Sequence, residues 1–293
     1  MKQILILSGK GGTGKTTVAA GLAHLASAEA SLVLADADVD ASNLELVLHP
    51  ELEETTPFEG GVKAVIDPAR CTCCGRCAEV CRFEAVIDGE DAYAVDAVAC
   101  EGCAACHYQC PAEAIAMVPT QAGEWYRSQT PWGVLFHARL FPGEENSGKL
   151  VATVKQNANL WALRHKANYL LVDGPPGIGC PVIAATAGTQ LALLVTEPSM
   201  SGLHDLERIL GTVAHFGVKA AVIVNKWDLK PARAAEIEAF CRDRGISLIG
   251  RIPYDDAVTR AMVSGDPVTA VTDGPVTAEL RRIWRTVATI LAE

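Results

Sequence analysis

Regularly spaced cysteines tie the middle of this chain to a narrow choice of folds. The first run reads Cys71-x-x-Cys74-x-x-Cys77-x-x-x-Cys81, and the second reads Cys100-x-x-Cys103-x-x-Cys106-x-x-x-Cys110 with Pro111 directly after it. The flanks repeat as well. Val65-Ile66-Asp67 leads into the first run and Val95-Asp96 into the second, while Glu84-Ala85-Val86 and Glu113-Ala114-Ile115 follow them. Two short halves related by duplication account for this pattern. Val62–Ile66, Ala85–Ile87, Tyr93–Val95 and Ile115–Val118 are the candidate strands, with Asp88-Gly89-Glu90-Asp91 as a turn.

The spacing resembles that of bacterial ferredoxins, in which each run wraps three corners of a 4Fe–4S cube and the fourth cysteine serves the other cluster. That crossing implies one cluster on Cys71, Cys74, Cys77 and Cys110, and a second on Cys100, Cys103, Cys106 and Cys81. Tetrahedral zinc on four thiolates is the rival, although zinc sites usually use two Cys-x-x-Cys pairs across a longer gap. Arg82 stands where many ferredoxins carry proline, a departure that removes no ligand. Of the remaining cysteines, Cys73 is read as a bystander and Cys241 as a small core residue; Cys180 is read first as an ordinary buried thiol.

Upstream, Gly9-Lys10-Gly11-Gly12-Thr13-Gly14-Lys15-Thr16-Thr17 follows the apolar segment Gln3–Leu7 and opens an Ala-rich helix over Thr16–Ala28. A glycine loop between strand and helix wraps phosphates with backbone amides, and the helix dipole adds to the attraction. Lys15 is expected to reach the β and γ oxygens, and Thr16 to offer its hydroxyl to Mg²⁺.

Lys10, a second lysine at the start of the loop, gives it a Lys-Gly-Gly-x-Gly-Lys-Thr pattern. This resembles the deviant Walker A loop of the MinD/ParA/Mrp and nitrogenase iron-protein superfamily of P-loop ATPases. The resemblance implies that Lys10 reaches the partner's nucleotide across a dimer interface. Asp36-Ala37-Asp38-Val39-Asp40-Ala41-Ser42-Asn43-Leu44 is similar to the family's first switch, which makes Asp38 the water-activating carboxylate and a group at the Mg²⁺ site. Asp173-Gly174-Pro175-Pro176-Gly177 is similar to the second switch, with Asp173 as an outer-shell Mg²⁺ acceptor. By the same resemblance Asn225-Lys226 reads adenine, and Pro253, Tyr254 and Asp255 flank the purine. Cys180 lies at an offset from Asp173 similar to that of the iron protein's cluster cysteine. As bare residues, Asp36 and Asp40 at a strand end also fit helix caps or turn formers.

Strand Ser31–Ala35, a short helix over Leu44–Leu48 and a polar stretch around Pro50–Gly61 precede the cysteine segment. After it, strands Tyr169–Val172, Leu191–Thr196, Ala220–Asn225 and Ile246–Ile252 alternate with helical stretches. That alternation implies a mostly parallel sheet covered by helices. The expected fold is therefore an α/β P-loop NTPase over residues 1–61 and 120–293, with a small inserted α+β ferredoxin domain over 62–119. Leu280, Ile283, Trp284, Val287 and Leu291 form an apolar stripe read as packing on the sheet, not as a membrane contact. In the segment Thr130–Val151, which holds Trp132, His137 and Asn146, His137 is read as a structural histidine.

A formal charge of −10 disfavours nucleic acid as a partner. Met1-Lys2 runs straight into a strand without room for a signal peptide, and no apolar run reaches the roughly 20 residues of a membrane span. A cytoplasmic protein follows, in which eleven cysteines favour metal over disulfides. These readings converge on Mg²⁺-dependent ATP hydrolysis to ADP, by in-line attack of water, in a homodimer or a heterodimer with a related ATPase. The cycle is expected to gate electron transfer through two 4Fe–4S clusters to a redox protein. Alternatives are a cluster carrier of Mrp type that loads an apo-protein acceptor, and a MinD-like spatial regulator with a redox sensor.

Overall fold

Ile4, Leu5, Ile6 and Leu7 are fully buried, as a strand covered on both faces requires. They belong to β1 (Lys2–Ser8) at the centre of a sheet built from β2 (Leu32–Asp36), β3 (Glu51–Ile66), β6 (Ile115–Thr130), β7 (Gly133–Leu140), β8 (Tyr169–Pro176), β9 (Leu191–Thr196), β10 (Lys219–Asn225) and β11 (Ser247–Ile252). The remaining strands, β4 (Val86–Ile87) and β5 (Ala94–Val95), form an antiparallel pair of their own. The large sheet runs β11-β10-β9-β1-β8-β2-β7-β6-β3, and every pairing from β11 across to β7 is parallel. The computed structural model describes residues 1–144 and 147–292, so Asn146 lies outside the described residues.

The chain divides into two compact units: Met1–Thr56 with Trp125–Arg139 and Ser147–Glu293, and Pro57–Glu124 with Leu140–Asn146. The helices of the first are α1 (Lys15–Ser27), α4 (Ser147–Arg164), α5 (Cys180–Thr186), α6 (Gly202–His215), α7 (Pro231–Asp243), α8 (Asp256–Ser264), α9 (Val268–Val271) and α10 (Pro275–Ala292). Helices α1 and α10 pack together, and Leu280, Ile283, Trp284, Val287 and Leu291 all lie in the core. Among the described residues no helix is long and apolar enough to cross a membrane.

The second unit holds α2 (Arg76–Val80) and α3 (Ala105–Gln109) around a small core of Ala64, Cys77 and Ile115. Its two halves repeat in backbone detail. Gly75 and Ala104 sit left-handed before the helices, and Cys81 and Cys110 after them share φ −77° with ψ 108° and 109°. The amide of Ala85 donates to the Cys81 sulfur at 3.4 Å and that of Ala114 to the Cys110 sulfur at 3.3 Å. Pro111 favours the extended backbone seen at Cys110, and Cys81 keeps the same conformation although Arg82 stands in the corresponding place.

Two expectations about elements need correction, and a segment left without an element gains one. The polar stretch Pro50–Gly61 is largely the strand β3, Ile115–Val118 is only the start of the 16-residue β6, and much of the segment after residue 130 is β7. β3 escapes the apolar pattern because it is an edge strand: Glu51–Thr55 are exposed, and Arg127 on β6 pairs with Glu53 at 2.5 Å and Glu54 at 3.1 Å. Charges of this kind are how a sheet edge avoids pairing with another chain.

Candidate functional site

The carboxyl ends of β1, β2, β8, β10 and β11 open onto a cleft of about 690 Å³, a volume ordinary for a small-molecule site. In a parallel α/β sheet this edge is where ligands bind. The phosphate loop leaves β1 with Gly12 and Gly14 at φ 78° and 92°, values a side chain tolerates poorly. Gly14 carries a second constraint, since a Cβ there would collide with the Asn225 amide. Gly11, Gly12, Lys15, Thr16 and Thr17 line the cleft, and Thr13 is buried beneath them with its hydroxyl unpartnered.

Lys15 is buried, with Nζ 3.8 Å from Asp38 Oδ2. Burial, tempered by Lys15, raises Asp38 to about 6. Asp173 faces Asp36 across the β2–β8 register, and both carboxylates are fully buried. Neither Asp173 oxygen has a hydrogen bond; burial first, and then the Asp36 charge, push its carboxyl far above the ordinary range. The neighbouring Thr16 hydroxyl tempers that rise without reaching hydrogen-bond geometry. Asp173 is thus an orphaned buried carboxyl beside the phosphate loop, and a divalent cation with its waters would draw it into the ionised form. Asp36 differs: it accepts from Asp38 N at 3.0 Å, Ser42 Oγ at 2.8 Å, Asn43 N at 3.1 Å and Leu44 N at 3.0 Å. It therefore folds the loop that presents Asp38, whereas Asp40 is exposed at the cleft.

At the far end, Asn225 is engaged at both ends of its amide, donating to Thr13 O at 2.8 Å and accepting from Lys226 N at 3.0 Å. Lys226 Nζ reaches Gly12 O at 3.4 Å. Pro253, Tyr254 and Asp255 line the cleft, and Asp255 also caps α8 by accepting from Ala257 N at 2.8 Å. Two contributors escaped the sequence reading. Asp228 accepts from Tyr254 N at 2.7 Å and so fixes the Pro253–Asp255 loop. Glu197, just past β9, pairs with Lys10 at 2.6 Å. Its only sequence signal is a charge beside Pro198 at the end of an apolar strand.

In the cysteine unit the eight thiols distribute over two cavities. Cys71, Cys74, Cys77 and Cys110 line one; Cys81, Cys100, Cys103 and Cys106 line the other. Among the described residues no three His, Cys, Asp or Glu side chains converge as ligands of a single ion. A cube of four irons takes one thiolate at each iron, so its donors surround a cavity and do not meet at a point. Amides of Cys73 and Tyr93 hold the Cys71 thiol below its usual pKa. Cys73 is exposed, 3.3 Å from Asp91 O. Cys241 is buried, which pushes its thiol to about 11. Cys180 is exposed at the start of α5, correcting the expectation that it is buried. His137 is structural, bound to Glu45 and Ser128 at 3.0 Å each.

Residues 4–268 match the CobQ/CobB/MinD/ParA nucleotide binding domain family. An uncharacterised protein of Methanocaldococcus jannaschii is 33% identical over 76% of this chain and 78% of its own length. The septum site-determining protein MinD of Synechocystis is 27% identical over 90% of this chain and 80% of its own. Among solved structures, MinD of Pyrococcus horikoshii, complexed with Mg-ADP, superposes with a TM-score of 0.61 at 18% identity, covering 99% of this chain and 97% of that one.

Proposed function

The chain belongs to the CobQ/CobB/MinD/ParA family of P-loop nucleotide-binding proteins, and from that premise we propose that it is a Mg²⁺-dependent ATPase whose nucleotide state switches its pairing with a second subunit, and that the switch carries a resident two-cluster 4Fe–4S module. The observation that carries the proposal is the pairing of an orphaned Asp173 and a lysine-tethered Asp38 at the phosphate loop with two four-thiol cavities elsewhere in the chain.

Loop amides and Lys15 hold the β and γ phosphates. Asp38, with a carboxyl near 6 and so largely ionised at neutral pH, orients the attacking water and takes its proton. Thr16 and Asp173, the latter through water, would hold a magnesium ion, which would supply neutralisation of charge developing on the phosphate oxygens. Lys10 serves the partner's nucleotide, since Lys15 already meets the phosphates of its own. The cysteine quartets would hold the clusters, and the duplicated, backbone-supported cavities favour permanent cofactors over transferable cargo. The MinD relatives favour a nucleotide switch as the core activity over ATP-driven electron transfer, so the clusters are assigned a redox-sensing role first. Transfer of electrons, or of a cluster, to a partner protein is the competing outcome.

The test is anaerobic purification with iron and sulfide analysis, followed by sedimentation with and without Mg-ATP in reduced and oxidised protein. About eight irons per chain and ATP-dependent pairing that differs between redox states are expected. The Asp38→Ala variant should bind ATP, fail to turn it over and accumulate the paired form. Stoichiometric zinc without sulfide would refute the cluster assignment, and identical pairing in both redox states would shift the function to electron or cluster transfer.

A further inference from the structure

Lys10 leads the phosphate loop yet points away from it. Its ammonium group lies 2.6 Å from Glu197 Oε1 and donates to Ser199 Oγ at 2.9 Å, which uses two of its three protons. Both acceptors belong to one turn after β9, held by Ser199 N donating to Glu197 O at 2.8 Å and Gly202 N to Ser199 O at 3.2 Å. A Cβ at Gly202 would strike the Glu197 carbonyl, so the turn is also sterically closed. The other oxygen of Glu197 lies 3.7 Å from Lys226 Nζ, and Lys226 is anchored to Gly12 O. One carboxylate thus bridges two lysines from different elements.

We infer that Glu197, assisted by Ser199, is a positioning residue that keeps Lys10 within its own subunit until pairing around nucleotide draws the lysine across. The inference rests on the proposed intersubunit role of Lys10. Its physical basis is the second lysine. Removing one partner from a two-membered ion pair in a low-dielectric site strands a charge at high cost. Here the departing Lys10 leaves Glu197 still facing Lys226. The cost of release is then that of a partly exposed ion pair, a few-fold in equilibrium constant. A triphosphate presents several negative oxygens and outcompetes a single carboxylate for the ammonium group. Glu197 therefore sets the threshold at which nucleotide promotes pairing, while leaving nucleotide binding by Lys15 untouched.

The experiment is sedimentation of the anaerobically purified full chain with Mg²⁺ and a non-hydrolysable ATP analogue, comparing the parent with E197Q, S199A, K10A and the K10A/E197Q double variant. E197Q should tighten pairing by about fivefold if one lysine per pair is limiting and by about 25-fold if both are. S199A, which loses one hydrogen bond, should tighten it by roughly twofold. K10A should weaken pairing, and the double variant should match K10A, because the acid acts only through that lysine. A K10A protein that pairs like the parent would overturn the intersubunit reading and this inference with it. Weakened K10A alongside an E197Q that pairs no more tightly than the parent would overturn the inference alone. Should E197Q lose its urea-unfolding transition, S199A decides: no tightening in that variant counts equally against the inference. A merely structural Glu197 would loosen the fold and weaken pairing, the opposite sign.

Discussion

Asp173 is the residue whose state depends most on what the cleft contains. Buried beside Asp36 and without a hydrogen bond, its carboxyl holds its proton up to about 8, against 3.8 when exposed. Below pH 4 the folded and unfolded chains are both protonated there, and the stabilising preference for the folded state is fully present. Between about 4 and 8 only the unfolded chain releases the proton, so stability falls as pH rises through that window. Metal-free, nucleotide-free protein should accordingly lose on the order of a few kcal/mol relative to an Asp173→Asn variant between pH 4.5 and 8. Saturating Mg-ADP should flatten the difference, since the cation takes over from the proton. Urea titrations at several pH values measure it; parallel curves for the two proteins would show that Asp173 is ionised throughout. Asp173 itself stood out in the sequence because it ends an apolar strand before Gly174-Pro175-Pro176. Its isolation did not, because orphaning depends on the register that sets Asp36 opposite it. The distinct roles of Asp36 and Asp38 were likewise hidden: two acids two positions apart look alike until one is seen accepting four hydrogen bonds from its own loop.

Among the elements, α5 connects the second switch to the body of the sheet, and α4 holds it in place. Lys155 on α4 extends its ammonium group to the carbonyls of Ala185 and Ala187 (the latter at 2.7 Å) and to Thr189 Oγ1 at 3.0 Å. Three protons meet three acceptors at the carboxyl end of α5, where carbonyls lack helical partners and the dipole favours a cation. Burial nevertheless pushes the lysine down to about 8. Replacing it with methionine keeps the stem's packing but takes the ammonium donor from Ala187 O and leaves Ala185 O with only the Thr189 hydroxyl at 3.3 Å, at a cost of about 1–3 kcal/mol. The Lys155→Met protein should therefore unfold at lower urea, and its α5 amides should exchange hydrogen faster than those of β1. Unchanged exchange in α5 would mean that packing alone fixes the helix. Nothing in the sequence advertised this contact, since a lone lysine in a helical stretch normally faces solvent. The strands β1, β2, β8, β9 and β10 were legible for the opposite reason: burial on both faces writes each as a nearly unbroken apolar run, whereas β11, at the other sheet edge with Ser247 and Arg251 exposed, was legible from its aliphatic residues between Gly245 and Pro253. β3 and β7 were not, because an edge strand studded with Glu and Thr and a strand flanked by connecting segments carry no such signature.

At the scale of the whole molecule, the duplication of the cysteine segment makes its strongest statement about connectivity. Each half ends its short helix in the same conformation, at Cys81 and at Cys110, and hands that sulfur to an amide of its own half. Yet Cys81 lines the cavity of the second run and Cys110 that of the first. If clusters fill these cavities, each half supplies three donors to one site and one to the other, and neither half can be complete alone. Double variants read this directly. Cys74→Ser with Cys110→Ser strikes one site twice, so about four irons per chain should remain. Cys74→Ser with Cys81→Ser strikes both sites, so iron should fall towards zero although the two changes lie within a single run. Anaerobic iron and sulfide analysis of the two proteins decides between crossed and uncrossed ligation, because uncrossed sites would exchange the two results. The crossed outcome also makes the duplicated halves mutually dependent for folding, so proteolysis of metal-stripped protein should cut both runs at similar rates. A cluster-free first run that is digested while the second stays intact would show the halves to be independent.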